Sequence, residues 1–271
     1  MIPKIIHYCW FGPRPFGELE NRCLESWKKI FPDYEIKKWG NDCLDQFDNK
    51  YLRQAVEAKK WAFVSDYVRL YALLTEGGIY FDTDEEVLRS LDEFMDHDFF
   101  IGSQKCGSAR EISPALIGTI PNNPLVKDLL SVYDEVEFIK PDGSHNLTTN
   151  PKLFARVLKA KYGLTDKDLF VTKDRVKIME NAYIYPYYFF CTDNEKAYAI
   201  HHYSGSWTPI WRIRKKLSFS IGKNEYFLKK YKHKPRPGED EPMPIAEGEE
   251  IVCSLKTGSR SQFILFKKAK K

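Results

Sequence analysis

The sequence predicts an α/β protein with a mixed, mostly parallel sheet flanked by helices and a small C-terminal extension. Three observations predict it. The chain opens on a strand-helix-strand pattern, which favours parallel strands joined by crossover helices. A later, almost wholly apolar helix runs into a glycine pair and then a short apolar strand. That strand ends in a run of acids, and open α/β sheets bind ligands outside the carboxyl ends of their strands.

The first strand is read from Ile5, Ile6, Tyr8 and Trp10, bounded by Pro3 and Gly12-Pro13, and it ends at Trp10. Leu19, Cys23, Leu24, Trp27, Ile30 and Phe31 recur at helical spacing from Glu18 to Phe31, and Pro32 stops that helix. A strand over Tyr34 to Trp39 completes the opening. Ala62 to Thr75 is a helix whose apolar residues wrap most of its circumference, so it is expected to be buried, with Gly77-Gly78 ending it. Ile79-Tyr80-Phe81 follows as a central strand. Phe99 to Ile101 and Ala115 to Ile120 read as strands. Pro124 to Val136 reads as a helix with Asn123 as N-cap, and Lys152 to Tyr162 as another. Val176 to Met179 and Ala197 to Ile200 are late strands, with the aromatic run Tyr183 to Phe190 between them. Lys234 to Pro244, rich in proline and acids, reads as an exposed linker before a hairpin-like piece over Ile251 to Phe266. The expected division is a main domain over 1–233 and a linker with a short basic extension over 234–271.

Composition narrows the function. With 43% hydrophobic, 15% aromatic and 30% charged residues the chain is a folder rather than a disordered segment. A net charge of +4 is too balanced for a dedicated nucleic-acid binder. The six cysteines (Cys9, Cys23, Cys43, Cys106, Cys191 and Cys253) form no C-x-x-C pair and are expected as reduced thiols. No apolar run approaches a membrane span, and the first residues lack a signal-peptide core, so the expected location is the cytoplasm. The Asn146-Leu147-Thr148 sequon matters only in a secretory protein.

Asp82-Thr83-Asp84-Glu85-Glu86 sits at the carboxyl end of the apolar strand. The other Asp-x-Asp pairs, Asp96-His97-Asp98 and Asp166-Lys167-Asp168, lie in polar surroundings and read as solvated turns. Two carboxylates about 7 Å apart repel by roughly 2 kcal/mol at an effective dielectric near 20, a repulsion that a divalent cation turns into attraction. Manganese or magnesium is the expected cofactor, held by Asp82 and Asp84; the plain alternative is an acidic surface turn. Asp66 and Arg69, three apart on the apolar helix, form either a buried ion pair or a polar face in the cleft. In the second case Arg69 binds a diphosphate and Asp66 accepts from a ribose. Trp10, at the mouth of the first strand, is positioned to stack on a base or to fill the core. Near residue 200, His201-His202 precede Tyr203-Ser204-Gly205-Ser206-Trp207. Neighbouring strand residues face opposite ways, so one histidine completes the metal site; His202 is favoured over His201. Ser206 and Trp207 are candidate phosphate donors.

Taken together, Ile2 to Gly12, Ser65-Asp66-Tyr67-Val68-Arg69, Gly77 to Asp84 and His201 to Trp207 resemble glycosyltransferase family 32, in order, over about residues 1 to 210. That family includes capsular polysaccharide enzymes and yeast mannosyltransferases and shares motifs with clostridial glucosylating toxins. The resemblance implies a GT-A fold, a nucleotide-sugar donor (UDP- or GDP-sugar), a divalent cation and retention of anomeric configuration. It implies Trp10 on the base, Asp66 on the ribose or sugar, Arg69 on the diphosphate and donor sugar, and Tyr80 lining the pocket. Asp82 would touch ribose and metal-bound water, Asp84 would ligate the metal, and Trp207 would bind the β-phosphate. Thr149-Asn150-Pro151 looks like the family's T-G-P turn with Asn in place of Gly. The expected acceptor is a glycan, in particular a lipid-linked one.

From Arg212 to Lys232 basic residues alternate with aromatic and aliphatic ones. This reads either as a solvated basic face or as an interfacial segment on an anionic membrane surface, which would place the enzyme peripherally at the inner face of the plasma membrane. The competing function readings are a toxin-like protein glycosyltransferase, a phosphatase of the haloacid dehalogenase type, and a non-catalytic sugar-nucleotide-binding protein. The phosphatase motif belongs near the N-terminus and continues into Gly or Thr/Val, not into Glu85-Glu86.

Overall fold

The first strand, β1 (Ile5–Cys9), is nearly all buried, and α1 (Glu18–Ile30) returns the chain so that β2 (Glu35–Trp39) pairs parallel to it. Two short elements that the sequence pattern did not reveal follow, a 3-10 turn over Asn41–Gln46 and α2 (Lys50–Glu57). They lead into α3 (Trp61–Glu76), which is buried along most of its length as expected. α3 stops where Gly77 (φ 65°) and Gly78 (φ 97°) turn the chain into β3 (Gly78–Phe81). A Cβ on Gly77 would lie 2.6 Å from the Pro121 nitrogen, and one on Gly78 2.5 Å from the Ile5 carbonyl oxygen. Only glycine fits, and the pair lets β3 lie directly beside β1.

β4 (Glu85–Val87) comes next, then β5 (Phe99–Cys106) and β6 (Ala109–Thr119), which form a long hairpin. The sequence pattern had marked only its apolar end, because Gly102 to Pro114 is poor in β-branched and aromatic residues. α4 (Pro124–Glu135) is capped by the Asn123 side chain, which accepts the Leu125 N–H at 2.9 Å. α5 (Asn150–Tyr162), β7 (Val176–Met179), β8 (Ala182–Tyr185), α6 (Tyr187–Phe190) and β9 (Ala199–His201) complete this part of the chain. The aromatic run is therefore divided between a strand and a helical turn.

The central sheet has seven strands in the order β2-β1-β3-β6-β5-β8-β7, with β6 and β7 reversed against the rest. β4 and β9 form a separate antiparallel pair. Alternation along β3 divides the core in two. Tyr80 joins Val64, Leu70 and Tyr133 on the side of α3 and α4, while Ile79 and Phe81 join Trp27 and Phe31 on the side of α1. This is the helix-flanked, mostly parallel α/β architecture expected from the sequence.

The computed structural model describes residues 1–205, 211–221, 224–233, 249–258 and 261–269, with few side chains beyond residue 205. The chain divides into two compact units, Met1–Gly205 and Ser206–Lys271. In the second, β10 (Trp211–Ile221), β11 (Asn224–His233), β12 (Glu249–Gly258) and β13 (Ser261–Ala269) form one antiparallel sheet in the order β10-β11-β13-β12. The expected terminal hairpin is β12 and β13. The division between the units falls at 205/206 where the sequence suggests 233/234: β11 pairs with β13 from Asn224↔Ala269 to Lys232↔Ser261, which groups residues 211–233 with the C-terminal strands. Local composition marked the proline-rich stretch, whereas long-range pairing decides the division. No described helix is long and apolar enough to cross a membrane.

Candidate active site

The site is built at the carboxyl end of β3. Tyr80 faces α3, and its ring lies 4.6 Å beneath the Arg69 guanidinium. Arg69 is buried and fixed on every side. Its Nη1 donates to the Pro114 carbonyl at 2.9 Å and its Nε to the Ser65 carbonyl at 3.3 Å. Its Nη2 lies 3.0 Å from Asp66 Oδ1 and 3.2 Å from Asp82 Oδ1. The Tyr80 hydroxyl donates to Asp82 at 2.9 Å. Arg69 thus pairs with Asp66, one of the two arrangements the helix spacing allows, and bridges it to the Asp-x-Asp segment. Burial pushes the Asp66 carboxyl up to about 6 against the pull of Arg69, and Asp82 is raised for the same reason.

Past Phe81 the chain turns, with the Glu85 N–H on the Asp82 carbonyl at 2.9 Å, and β4 begins. In the β4–β9 pair Glu85 lies opposite His201. One ligand atom from each of Asp82, Asp84 and His201 falls within 4.8 Å of the others. His201 Nε2 is 3.4 Å from Asp84 Oδ1, and the Ser204 N–H donates to Asp84 Oδ2 at 2.7 Å. Tyr203 aims that N–H by adopting φ 49°, an uncommon conformation for a residue other than glycine. Burial alone would raise Asp84, but His201 and Ser204 overcome it and hold the carboxyl well below the usual range. Burial would lower His201, but Asp84, with Glu85 and Asp82, raises it to about 9. Glu85 is fully buried and lifted well above the ordinary range by desolvation.

The structure sets His201, rather than the favoured His202, beside Asp82 and Asp84. His202 Nε2 lies 2.7 Å from Glu86 Oε2, with Arg22 Nη2 at 3.2 Å. It points to the α1 side because it follows His201 in an extended segment.

The donor set fits a divalent cation. Like charges no more than 4.8 Å apart repel by at least about 3.5 kcal/mol at an effective dielectric near 20. His201 Nδ1 and both Glu85 carboxylate oxygens are buried without a hydrogen-bond partner in the structure. Two carboxylates and an imidazole form a mixed oxygen-nitrogen donor set of the kind a divalent cation takes.

Trp10 borders a recess of about 340 Å³ that is also lined by Gly12, Arg14, Phe16, Lys38 and Asn41. Its indole N–H donates to the Arg14 carbonyl at 2.6 Å, and the Arg14 guanidinium lies 4.5 Å over its ring. Tyr80 is buried under Arg69 rather than lining an open pocket. Ser206 and Trp207 lie outside the described residues, as do nearly all side chains of 211–232. Sequence reasoning missed the role of Asn150. Its amide donates to Asp66 Oδ1 at 3.1 Å and its carbonyl oxygen accepts the Tyr133 hydroxyl at 3.1 Å. The one signal was its place in the Thr149-Asn150-Pro151 turn. Asp96-His97-Asp98 and Asp166-Lys167-Asp168 lie away from the site; Asp168 closes a local turn on Thr165.

Residues 17–101 match the family described as the glycosyltransferase sugar-binding region containing DXD motif. That segment makes the chain similar to the DXD glycosyltransferases over about a third of its length. The matched segment ends on β5 and includes Asp66, Arg69, Asp82 and Asp84. An uncharacterized glycosyltransferase of Acanthamoeba polyphaga mimivirus is 25% identical over 239 residues, 79% of this chain and 87% of the viral one. The mannosyl phosphorylinositol ceramide synthase of Saccharomyces cerevisiae is 28% identical over 149 residues, 51% of this chain and 37% of the yeast one. Among solved structures, the PaToxG glycosyltransferase superposes with a TM-score of 0.45 at 21% identity, covering 60% of this chain and 70% of that one. The enzyme is a transferase, and its candidate site lies within and beside the matched segment.

Proposed function

We propose that this glycosyltransferase moves a sugar from a nucleoside diphosphate sugar, with UDP or GDP as carrier, to a glycan acceptor of the lipid-linked kind, with retention at the anomeric carbon. The observation that carries the reading is the convergence of Asp82, Asp84 and His201 beside Arg69 at the end of β3. Asp82, Asp84 and His201 would hold a divalent cation, which when bound would supply positive charge against the departing diphosphate. The chain's own residues do the rest. Arg69, pinned by the Pro114 and Ser65 carbonyls, offers a fixed guanidinium to a phosphate oxygen without having to reorganise. Asp66, oriented by Asn150 and Arg69, accepts a hydroxyl of the ribose or the sugar. Trp10 offers its face to the base once Arg14 swings away. Asp66, Asp82 and Asp84 are committed to Arg69 or His201 and Glu85 is fully buried, so the acceptor hydroxyl enters on the face the diphosphate leaves, with no enzyme-bound sugar.

The test is a panel of UDP- and GDP-sugars assayed for thermal stabilisation and for release of free sugar, with manganese and with a chelator. One donor is expected to stabilise the protein and to turn over only with the metal present. Absence of stabilisation and of turnover across the panel would overturn the reading.

A further inference from the structure

On the far side of β3 from the Trp10 recess, a cleft of about 500 Å³ opens between the start of β6, the first turns of α5 and the segment after that helix. Arg110 reaches it from β6, and Lys152, Arg156 and Lys159 from α5, against Glu111 and Asp166. Both acids are engaged, Glu111 by the Gln104 amide at 3.0 Å and Asp166 by Lys159. Arg110 donates to the main-chain carbonyls of Gly107 and Ala109. Among the described residues, the side chains of Lys152 and Arg156 make no hydrogen bond or ion pair. Some exposed cations of the Met1–Gly205 unit are matched, as Lys28 is with Glu25 and Lys50 with Glu137, and others, such as Lys29 and Lys127, are not; what sets Lys152 and Arg156 apart is that they share one cleft with Arg110. A concentration of uncompensated positive charge in a concavity focuses the field on an anion.

Two stretches of chain run from the cleft to the candidate site. Pro151, in its floor, follows Asn150, whose amide holds Asp66. Along β6, Pro114, whose carbonyl holds Arg69, lies four positions on from Arg110, a span of about 13 Å at strand rise. The floor of Pro151, Ala155 and buried Leu169 is apolar and suits the C–H face of a ring.

We propose that this cleft is the acceptor subsite and that it recognises a phosphate group on the acceptor, held by Lys152 and Arg156 with Arg110 beside them. The inference rests on the glycosyl-transfer reading above. The phosphate comes from a lipid headgroup or from a soluble phosphorylated glycan, and the two arms of the test separate these sources.

The experiment measures binding in the presence of a chelator, so that it does not depend on the donor site. The soluble arm uses glycerophosphoinositol, with myo-inositol as neutral control. The lipid arm uses equimolar phosphatidylcholine-phosphatidylinositol vesicles, with phosphatidylcholine vesicles as control. The wild-type chain is compared with the double variant Lys152→Glu/Arg156→Glu, whose substituted side chains are exposed. The wild type is expected to bind a phosphate probe over its control and the variant to bind it about tenfold more weakly or not at all, as for loss of charge-assisted contacts. Binding of the soluble probe supports a soluble phosphorylated acceptor, and binding of vesicles alone a lipid one. Equal binding by wild type and variant, or none by the wild type in either arm, overturns the proposal. If that happens while donor turnover is intact, the acceptor subsite alone fails; absent donor turnover in the wild type strikes the transfer reading instead.

Discussion

Protonation of His201 sets a specific expectation for metal binding. The Asp84 carboxylate at 3.4 Å and the buried acids around it raise the imidazole to about 9, so near neutral pH the ring carries a proton. That proton occupies the position a cation needs, because a coordinating imidazole must be neutral. Displacing it at pH 7 from a group titrating near 9 costs about 2.7 kcal/mol, or about a hundredfold in apparent affinity. Manganese affinity is therefore expected to rise about tenfold per pH unit from 7 to 9 and to flatten above it. Free manganese measured by electron paramagnetic resonance in a non-coordinating buffer reads this slope directly. His201→Ala should weaken binding at pH 9 and abolish the slope, whereas His202→Ala, whose ring sits on Glu86, should keep it. A wild-type affinity independent of pH, or an unchanged slope in His201→Ala, would refute the reasoning. Stability without metal should move oppositely. The folded-state value lies above the unfolded one of about 6.5, so the contribution of His201 is complete below pH 6.5 and lost as pH rises through about 9.

Further outcomes follow from the same geometry. Asp84→Asn keeps an acceptor for the Ser204 N–H but removes the charge, so donor turnover should fall at least a hundredfold with the unfolding midpoint little changed; full turnover in the variant would exclude Asp84 as a metal ligand. Arg69→Ala leaves Asp66 and Asp82 without their shared cation in a buried setting and should cost about 3–5 kcal/mol in urea unfolding. Asn150→Gly, which restores the family's usual turn residue, removes a donor from Asp66 and the acceptor of the Tyr133 hydroxyl. A loss of about 1–3 kcal/mol is expected, with Asp66 titrating above about 6 and the acid limb of the donor-binding profile moving to higher pH; an unmoved limb would show that Asp66 does not contact the donor. Because burial lifts Asp66 above its unfolded value, its contribution to stability is present below about pH 4 and lost as pH rises through about 6.

The parts of this molecule that one element decides alone were legible in the sequence. The apolar circumference of α3, the stop at Gly77-Gly78 and the acids after Phe81 each need only a few neighbouring residues, and the structure has all of them in place. Asp66 and Arg69 were paired for the same reason, since three residues along a helix brings them to one side. What the sequence could not decide was set between elements. Both histidines stood at the right distance from the motif. The choice of His201 depends on the register that puts it opposite Glu85, and a slip of one residue would have presented His202 instead. Asn150 is 84 residues from Asp66, so no local pattern links them; only the docking of α5 beside α3 and α4 does. The C-terminal boundary has the same origin. Prolines and acids announce a break in local structure, yet β11 and β13 pair across that stretch, and pairing rather than composition determines where a unit ends. Each of these cases joins a side chain whose type was readable to a partner whose place was not. The catalytic hypothesis therefore rests on the Asp-x-Asp strand for its chemistry and on the β4–β9 pairing for its third ligand. A variant that slips the β4–β9 register by one residue without touching Asp82 or Asp84 should present His202 in place of His201, so that His202→Ala rather than His201→Ala then weakens metal binding.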